Sequence, residues 1–146
     1  MGTGDTSVVD RYFSEYASYH TDRRNLLFHE LGIPLIVWSL FALLQLVTVG
    51  PIDLAVIVGV LVIIFYVRLN VGLAVIALVA FALLYALGRY TPWWLAVGAF
   101  FVGWTFQFVG HGLEGKRPAF FTNLTHLLIG PLWLCSLMFG RTSRTH

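Results

Sequence analysis

The chain has 146 residues, of which 58% are hydrophobic and only 11% are charged, and its formal net charge is +2. A soluble domain carries about 25% charged residues, so this composition excludes an ordinary water-soluble domain and predicts an integral membrane protein. The basic residues are scattered along the chain, which excludes a nucleic-acid-binding surface.

Hydropathy divides the chain into six predicted helices. Residues 7–18 have the pattern of a short amphipathic helix that lies at the membrane interface. Five apolar stretches follow, each close to the 20 or so residues that a helix needs to cross the hydrocarbon core. They are Leu31–Val49, Ile52–Val67, Val71–Gly88, Pro92–Gly110 and Phe120–Phe139. A single helix over 52–88 would be about twice as long as the core is thick, so we expect a turn at residues 68–70. The sequence predicts an all-α polytopic helix bundle, with about five transmembrane helices, that forms one integral-membrane domain over residues 1–146.

Alternation of the five spans places most histidines at one end of the bundle. The N-terminus, the turn at 68–70 and the loop after the fourth span then share one side of the membrane, and this side holds His20, His29, His111 and His126. It also carries Arg11, Arg23, Arg24, Arg68, Lys116 and Arg117, which are most of the basic residues. Because Lys and Arg favour the cytoplasmic side, we expect the N-terminus and the histidines to be cytoplasmic. The membrane would be the inner or plasma membrane of a prokaryote, or the endoplasmic reticulum of a eukaryote.

Ionisable groups at membrane depth are costly and usually mark a functional interior. We therefore interpret the four histidines as ligands of one transition-metal ion: His20, His29, His111 and His126. Neutral imidazoles without a thiolate suit zinc, copper, iron or nickel. The zinc-protease motif HExxH is absent, because the third residue after Glu30 is Ile33 and not histidine.

An amide side chain precedes three of these histidines by one helical turn. Asn25, Gln107 and Asn123 come three or four residues before His29, His111 and His126 respectively. Residues at this spacing share a helix face. We predict that these amides orient the imidazoles, since metal-bound histidines normally hydrogen-bond through their second ring nitrogen.

The loop after the fourth span contains a cationic pair, Lys116 and Arg117. These two residues are candidates to hold the carboxylate of an acyl chain whose tail lies in the bilayer, and the alternative is that they are solvated loop charges. For Glu114 we expect a solvated loop position. Asp22 and Glu114 are possible additional ligands or bases.

Two segments together carry a family resemblance. The pattern YH-x4-N-x3-H-x-x-G-I-P at 19–34 and the pattern Q-F-x-G-H-G-x-E-x-K-R-P-A at 107–119 resemble the 2-hydroxy fatty acid dioxygenase family, small membrane proteins of fatty acid alpha-oxidation and phytosphingosine breakdown. The resemblance spans nearly the whole chain. It implies an iron(II) enzyme that uses O2 to shorten a long-chain 2-hydroxy fatty acid by one carbon. It maps metal ligation onto His20, His29 and His111, whereas His126 rests on the convergence of the spans.

Other classes of function remain open at this point. Paired histidines in a helical bundle can ligate haem, and zinc or another divalent metal can occupy imidazole sites of this kind. A non-catalytic membrane scaffold or transporter is a third alternative, although transporters usually carry paired repeats and helices broken at mid-membrane.

Overall fold

The computed structural model describes residues 7–118 and 125–138. Helices make up most of these ranges: α1 Val8–Ser18, α2 Arg23–Leu44, α3 Leu54–Leu69, α4 Val71–Arg89, α5 Trp93–Glu114 and α6 His126–Met138. An antiparallel hairpin of two short strands, β1 Thr48–Val49 and β2 Ile52–Asp53, connects α2 to α3. The all-α prediction is confirmed for the described ranges, apart from this hairpin.

Polar residues outside the apolar stretch set the boundaries of α2. The helix begins at Arg23 because the Asp22 side chain accepts a hydrogen bond from the Arg24 N–H at 2.8 Å and caps the first turn. The sequence predicted that this span begins at Leu31. Residues 23–30 contain charged and polar side chains, so a search for continuous apolar sequence leaves out these first turns of the helix. At the other end, α2 stops at Leu44, and Gly50 turns the hairpin with a positive φ of 62°.

Asn70 makes the predicted turn between α3 and α4. Its backbone is extended, with φ −165° and ψ 117°, which ends α3. Its side-chain oxygen accepts a hydrogen bond from the Leu73 N–H at 2.9 Å and so caps the start of α4. One residue therefore separates the two helices, and the predicted division of residues 52–88 is confirmed.

Three of the described helices, α2, α4 and α5, are long and apolar enough to cross a membrane. Helix α3 has 16 residues and a length of about 24 Å, and the described part of α6 is shorter. The predicted fifth stretch, Phe120–Phe139, begins and ends outside the described residues.

Helix α1 confirms the helix predicted over 7–18, and its apolar face is covered by protein. Val9, Phe13 and Tyr16 recur at helical spacing and are buried. They belong to the same core cluster as Ile129 and Leu132 of α6. This packing fixes α1 against α6, and so fixes the position from which the chain continues into His20.

Helices α2 and α5 approach closely at two glycines. A Cβ atom on Gly103 would lie 2.7 Å from Ile36 Cγ1 and 3.0 Å from the carbonyl oxygen of Gly32. No side chain fits between the two backbones at this point. The close approach brings His29 of α2 and His111 of α5 to the same end of the helix pair.

Candidate metal centre

His20 and His29 are held by main-chain carbonyls one helical turn earlier. Nδ1 of His20 donates to the Tyr16 carbonyl at 2.6 Å, and Nδ1 of His29 donates to the Asn25 carbonyl at 3.0 Å. A carbonyl oxygen only accepts, so both Nδ1 atoms carry the proton. In the neutral imidazoles, both Nε2 atoms therefore present lone pairs.

These two Nε2 atoms face each other at 2.9 Å. Because neither has a proton to share, the pair has no hydrogen bond of its own, and a cation bound by both lone pairs would stabilise it. Ligand nitrogens bound at about 2.1 Å and at right angles are about 3 Å apart. The two histidines therefore fit a shared metal ion.

His111 completes a cluster of three buried histidines. Its ring centroid lies 4.8 Å from that of His20 and 4.7 Å from that of His29. One ligand nitrogen from each of the three lies within 4.8 Å of the others. Their exposed fractions are only 2 to 4%. The chemistry of the donor set suits a borderline metal such as iron or zinc.

Burial keeps His20 neutral. Removal of the ring from solvent lowers its pKa from 6.5 to about 4, although the hydrogen bond to the Tyr16 carbonyl opposes the shift. A neutral imidazole is the form that binds a metal. The His20 lone pair is therefore available well below neutral pH.

The side chain of Glu114 is buried and does not have the solvated position that we expected from sequence. Its side chain is 3% exposed. One carboxylate oxygen accepts hydrogen bonds from both the N–H and the hydroxyl of Thr21, and the other accepts from the Asn25 amide. The difference arises because α5 continues to Glu114 and places this residue against the linker between α1 and α2. Glu114 thus ties the segment that carries His20 to the helix that carries His111.

Of the three amides predicted to orient histidines, two lie in the described ranges. The Asn25 amide nitrogen is 3.5 Å from Nδ1 of His111 and belongs to the Glu114 network. Gln107 is buried, and its amide nitrogen has no hydrogen-bond partner among the described residues. Asn123 lies outside the described residues.

His126 lies beside the cluster and not within it. The residue is 2% exposed, and its ring stands 6.0 Å from that of Tyr16, which in turn stacks on His20 at 4.3 Å. Nε2 is 3.2 Å from a carboxylate oxygen of Glu15, but the two atoms are not aligned for a hydrogen bond. The role of His126 as a fourth ligand remains a prediction.

The cationic pair lies at the protein surface near the cluster. Nζ of Lys116 donates to the Ser18 carbonyl at 2.8 Å and lies 3.8 Å from Glu114. Arg117 is exposed. Neither side chain lines the cavity beside the histidines, and their role with a carboxylate also remains a prediction.

Sequence reasoning missed Tyr16, whose carbonyl holds His20 and whose ring covers it. Its spacing of four residues before His20 was the available signal. It also missed a cavity of about 260 Å³ that begins at the histidines. The cavity walls are apolar faces of helices that are apolar nearly all round, so no periodic pattern marks them.

The comparisons with known proteins agree with the resemblance. Residues 6–142 match the family model described as Mpo1-like, 2-hydroxy-palmitic acid dioxygenase. The chain is 36% identical over 120 residues to the 2-hydroxy-palmitic acid dioxygenase MPO1 of Saccharomyces cerevisiae (strain ATCC 204508 / S288c), with 78% of this chain and 69% of the yeast protein covered. No solved structure matches. The chain belongs to the Mpo1-like family.

Proposed function

We propose that this protein is an iron(II)-dependent dioxygenase that shortens long-chain 2-hydroxy fatty acids by one carbon. The observation that carries the proposal is the pair of facing Nε2 atoms of His20 and His29, which His111 completes. Family membership adds the reaction class, because the yeast relative is a 2-hydroxy-palmitic acid dioxygenase.

In this proposal His20, His29 and His111 hold the metal, and His126 is a candidate fourth ligand. The bound metal would supply the redox chemistry and the binding of O2 and of the substrate oxygens. The Tyr16 and Asn25 carbonyls keep Nδ1 protonated and so direct Nε2 inward. Glu114 fixes the linker that carries His20. Zinc in purified protein is compatible with iron in the cell, because imidazole sites select poorly among divalent metals.

The reaction balances without an outside reductant. A 2-hydroxy acid and one O2 give the acid one carbon shorter, carbon dioxide and water. The C1–C2 bond breaks, and the two carbons together lose the four electrons that O2 gains. No flavin or nicotinamide cofactor is required. The adjacent carboxylate and hydroxyl of the substrate offer two oxygens to one metal.

We further propose that the chain crosses the lipid bilayer five times, with the N-terminus and the metal on the cytoplasmic side. The apolar helices α2, α4 and α5 support the membrane setting. The excess of basic residues on the histidine side supports the orientation. Arg117 is proposed to bind the substrate carboxylate, since its planar fork contacts both oxygens at once, and Lys116 adds positive charge beside it.

Cluster geometry favours a single metal ion over the haem alternative. The centroids of the His20 and His29 rings are 4.1 Å apart, and these rings point at one another at the Nε2 edge. A porphyrin between two axial histidines would need a wider gap. A non-catalytic scaffold does not account for two buried imidazoles whose Nε2 lone pairs face one another, with the buried ring of His111 beside them.

The experiment is to reconstitute the protein with iron(II) and incubate it with 2-hydroxypalmitate in air. We expect the C15 acid by mass spectrometry, with carbon dioxide formed in equal amount. Palmitate, which lacks the hydroxyl group on C2, should give almost no C15 acid. No C15 acid from a folded, iron-replete sample across several chain lengths would overturn the proposal.

A further inference from the structure

The cavity beside the histidines continues along helix α2. After His29, its lining on this helix includes Ile33, Val37, Phe41 and Leu44. These positions recur every three or four residues and therefore form one helix face. At 1.5 Å rise per residue, the face extends about 22 Å from His29 to Leu44.

Helix α3 forms the facing wall and runs in the opposite direction. Tyr66 lies at the histidine end, because its hydroxyl donates to the Leu128 carbonyl on α6, two residues after His126. Val62 and Gly59 follow it along the wall toward the Leu44 end. We call this space the α2–α3 cavity. The four histidines, Tyr16, Tyr66 and Gln107 stand at one end of this cavity, and the lining beyond them is aliphatic and aromatic.

We infer that the α2–α3 cavity holds the acyl chain of the substrate, with the carboxyl end at the histidines, and that Gly59 and Phe81 set the chain length accepted. This inference rests on the proposed function. An extended chain of carbon–carbon bonds near 1.5 Å advances about 1.3 Å per carbon, so a face of about 22 Å matches roughly 17 carbons. Burial of each methylene in this apolar space is favourable.

Exposed side chains of both α2 and α3 take part in the cavity lining. Leu40 and Val58 line it and are also 39% and 36% exposed. In a membrane this exposed surface faces lipid. A fatty acid dissolved in the bilayer can therefore enter sideways, with its tail remaining in an apolar medium throughout.

The far part of the cavity is narrowed by an aromatic pair opposite Gly59. A Cβ atom on Gly59 would lie 3.4 Å from Cε1 of Phe41, which is ordinary contact. The Phe41 ring packs edge-on against Phe81, with centroids 5.2 Å apart. A larger side chain at 59 would extend into the space beside this pair and shorten the cavity, whereas removal of the Phe81 ring would lengthen it.

The test measures binding to the metal-free protein, so it does not depend on turnover. Purified protein in nanodiscs is loaded with cis-parinaric acid, a fluorescent fatty acid, which is displaced by 2-hydroxylaurate, 2-hydroxypalmitate or 2-hydroxyarachidate. We expect Gly59→Leu to weaken the binding of 2-hydroxypalmitate about tenfold, because about two methylenes are no longer buried, and to leave the binding of 2-hydroxylaurate nearly unchanged. Phe81→Ala should strengthen the binding of 2-hydroxyarachidate relative to that of 2-hydroxypalmitate. Gly98→Leu is the matched control, because a Cβ on Gly98 of α5 meets nothing within 4 Å.

The outcomes separate this inference from the proposed reaction. Suppose that binding depends on chain length and that Gly59→Leu shifts this dependence, but that the protein never forms the shortened acid. This result would support the cavity assignment and refute the reaction. Turnover with the same chain-length profile in wild type, Gly59→Leu and Phe81→Ala would refute the cavity assignment and leave the reaction standing. Failure of all three free acids to displace the probe would also overturn it. If Gly59→Leu fails to fold, the opposite shift in Phe81→Ala decides.

Discussion

Glu114, on the last turn of α5, accepts two hydrogen bonds from Thr21, the residue next to His20. Its second carboxylate oxygen accepts from Asn25, whose own carbonyl holds His29. One carboxylate thus connects the supports of all three clustered histidines, since His111 precedes it by one turn on the same helix. The three histidines come from three segments, and Glu114 is where these segments are joined.

Replacement of Glu114 should therefore weaken metal binding without removal of a ligand. We expect Glu114→Gln to lower the affinity for zinc or iron(II) by about 10- to 100-fold, as is typical when a group that orients ligands is lost. A titration with the metal, monitored by calorimetry, measures this affinity. Glu30→Gln is the matched control, because Glu30 adjoins His29 but is exposed. Equal affinities in both variants would refute the role of Glu114.

Single alanine substitutions of His20, His29 and His111 should each lower the affinity for the metal at least a hundredfold, since each removes a ligand nitrogen. The purified variants should therefore contain much less metal. Elemental analysis after mild purification gives the readout. Full metal occupancy in a His29→Ala, His111→Ala double variant would rule out the centre. The same measurement on His126→Ala gives the number of histidine ligands. A loss of metal as large as in the other three variants indicates four ligands, and an unchanged metal content indicates three.

Arg117→Ala should weaken the binding of 2-hydroxypalmitate by about tenfold, because a charge-assisted hydrogen-bond pair is lost. Metal content should not change. Arg117→Lys should restore the affinity only in part, since an ammonium group lacks the planar fork. An affinity that is the same in all three proteins would show that Arg117 is an ordinary exposed residue.

Gly103→Val should destabilise the protein and release the metal together. The added side chain would meet Ile36 and the Gly32 backbone, and so would push α5 away from α2. We expect a lower melting temperature and reduced metal content. Gly98→Val, on the same helix but facing open space, should change neither. A Gly103→Val protein with normal stability would contradict the close packing.

The stability of the metal-free protein should fall as the pH drops from about 6.5 to about 4. His20 has a folded-state pKa of about 4 against 6.5 for an exposed ring, so between these values the unfolded state binds the proton and the folded state does not. Unfolding is then favoured as the pH falls, by up to about 3 kcal/mol for this group. Melting temperature against pH measures the effect. His20→Gln should flatten the dependence, and identical pH profiles in the two proteins would contradict it.

Much of the architecture followed from local sequence. The helices α1, α4 and α5, and the turn at Asn70, were predicted because hydropathy and capping act over a few neighbouring residues. The start of α2 was not predicted, since its first turns are polar and a search for continuous apolar sequence leaves them out. The convergence of His20, His29 and His111 was also within reach, because the alternation of spans fixes the end of the bundle at which each loop lies.

Tertiary structure alone decided how these groups meet. The burial of Glu114 depends on contact with Thr21, 93 positions earlier in the chain, and no local pattern encodes such a pair. The α2–α3 cavity arises where two uniformly apolar helices fail to close on one another. In helices that are apolar on nearly every side, the outer surface and the cavity wall are both hydrophobic, so the sequence carries no contrast between them. Which face lines the cavity is set by how the helices pack.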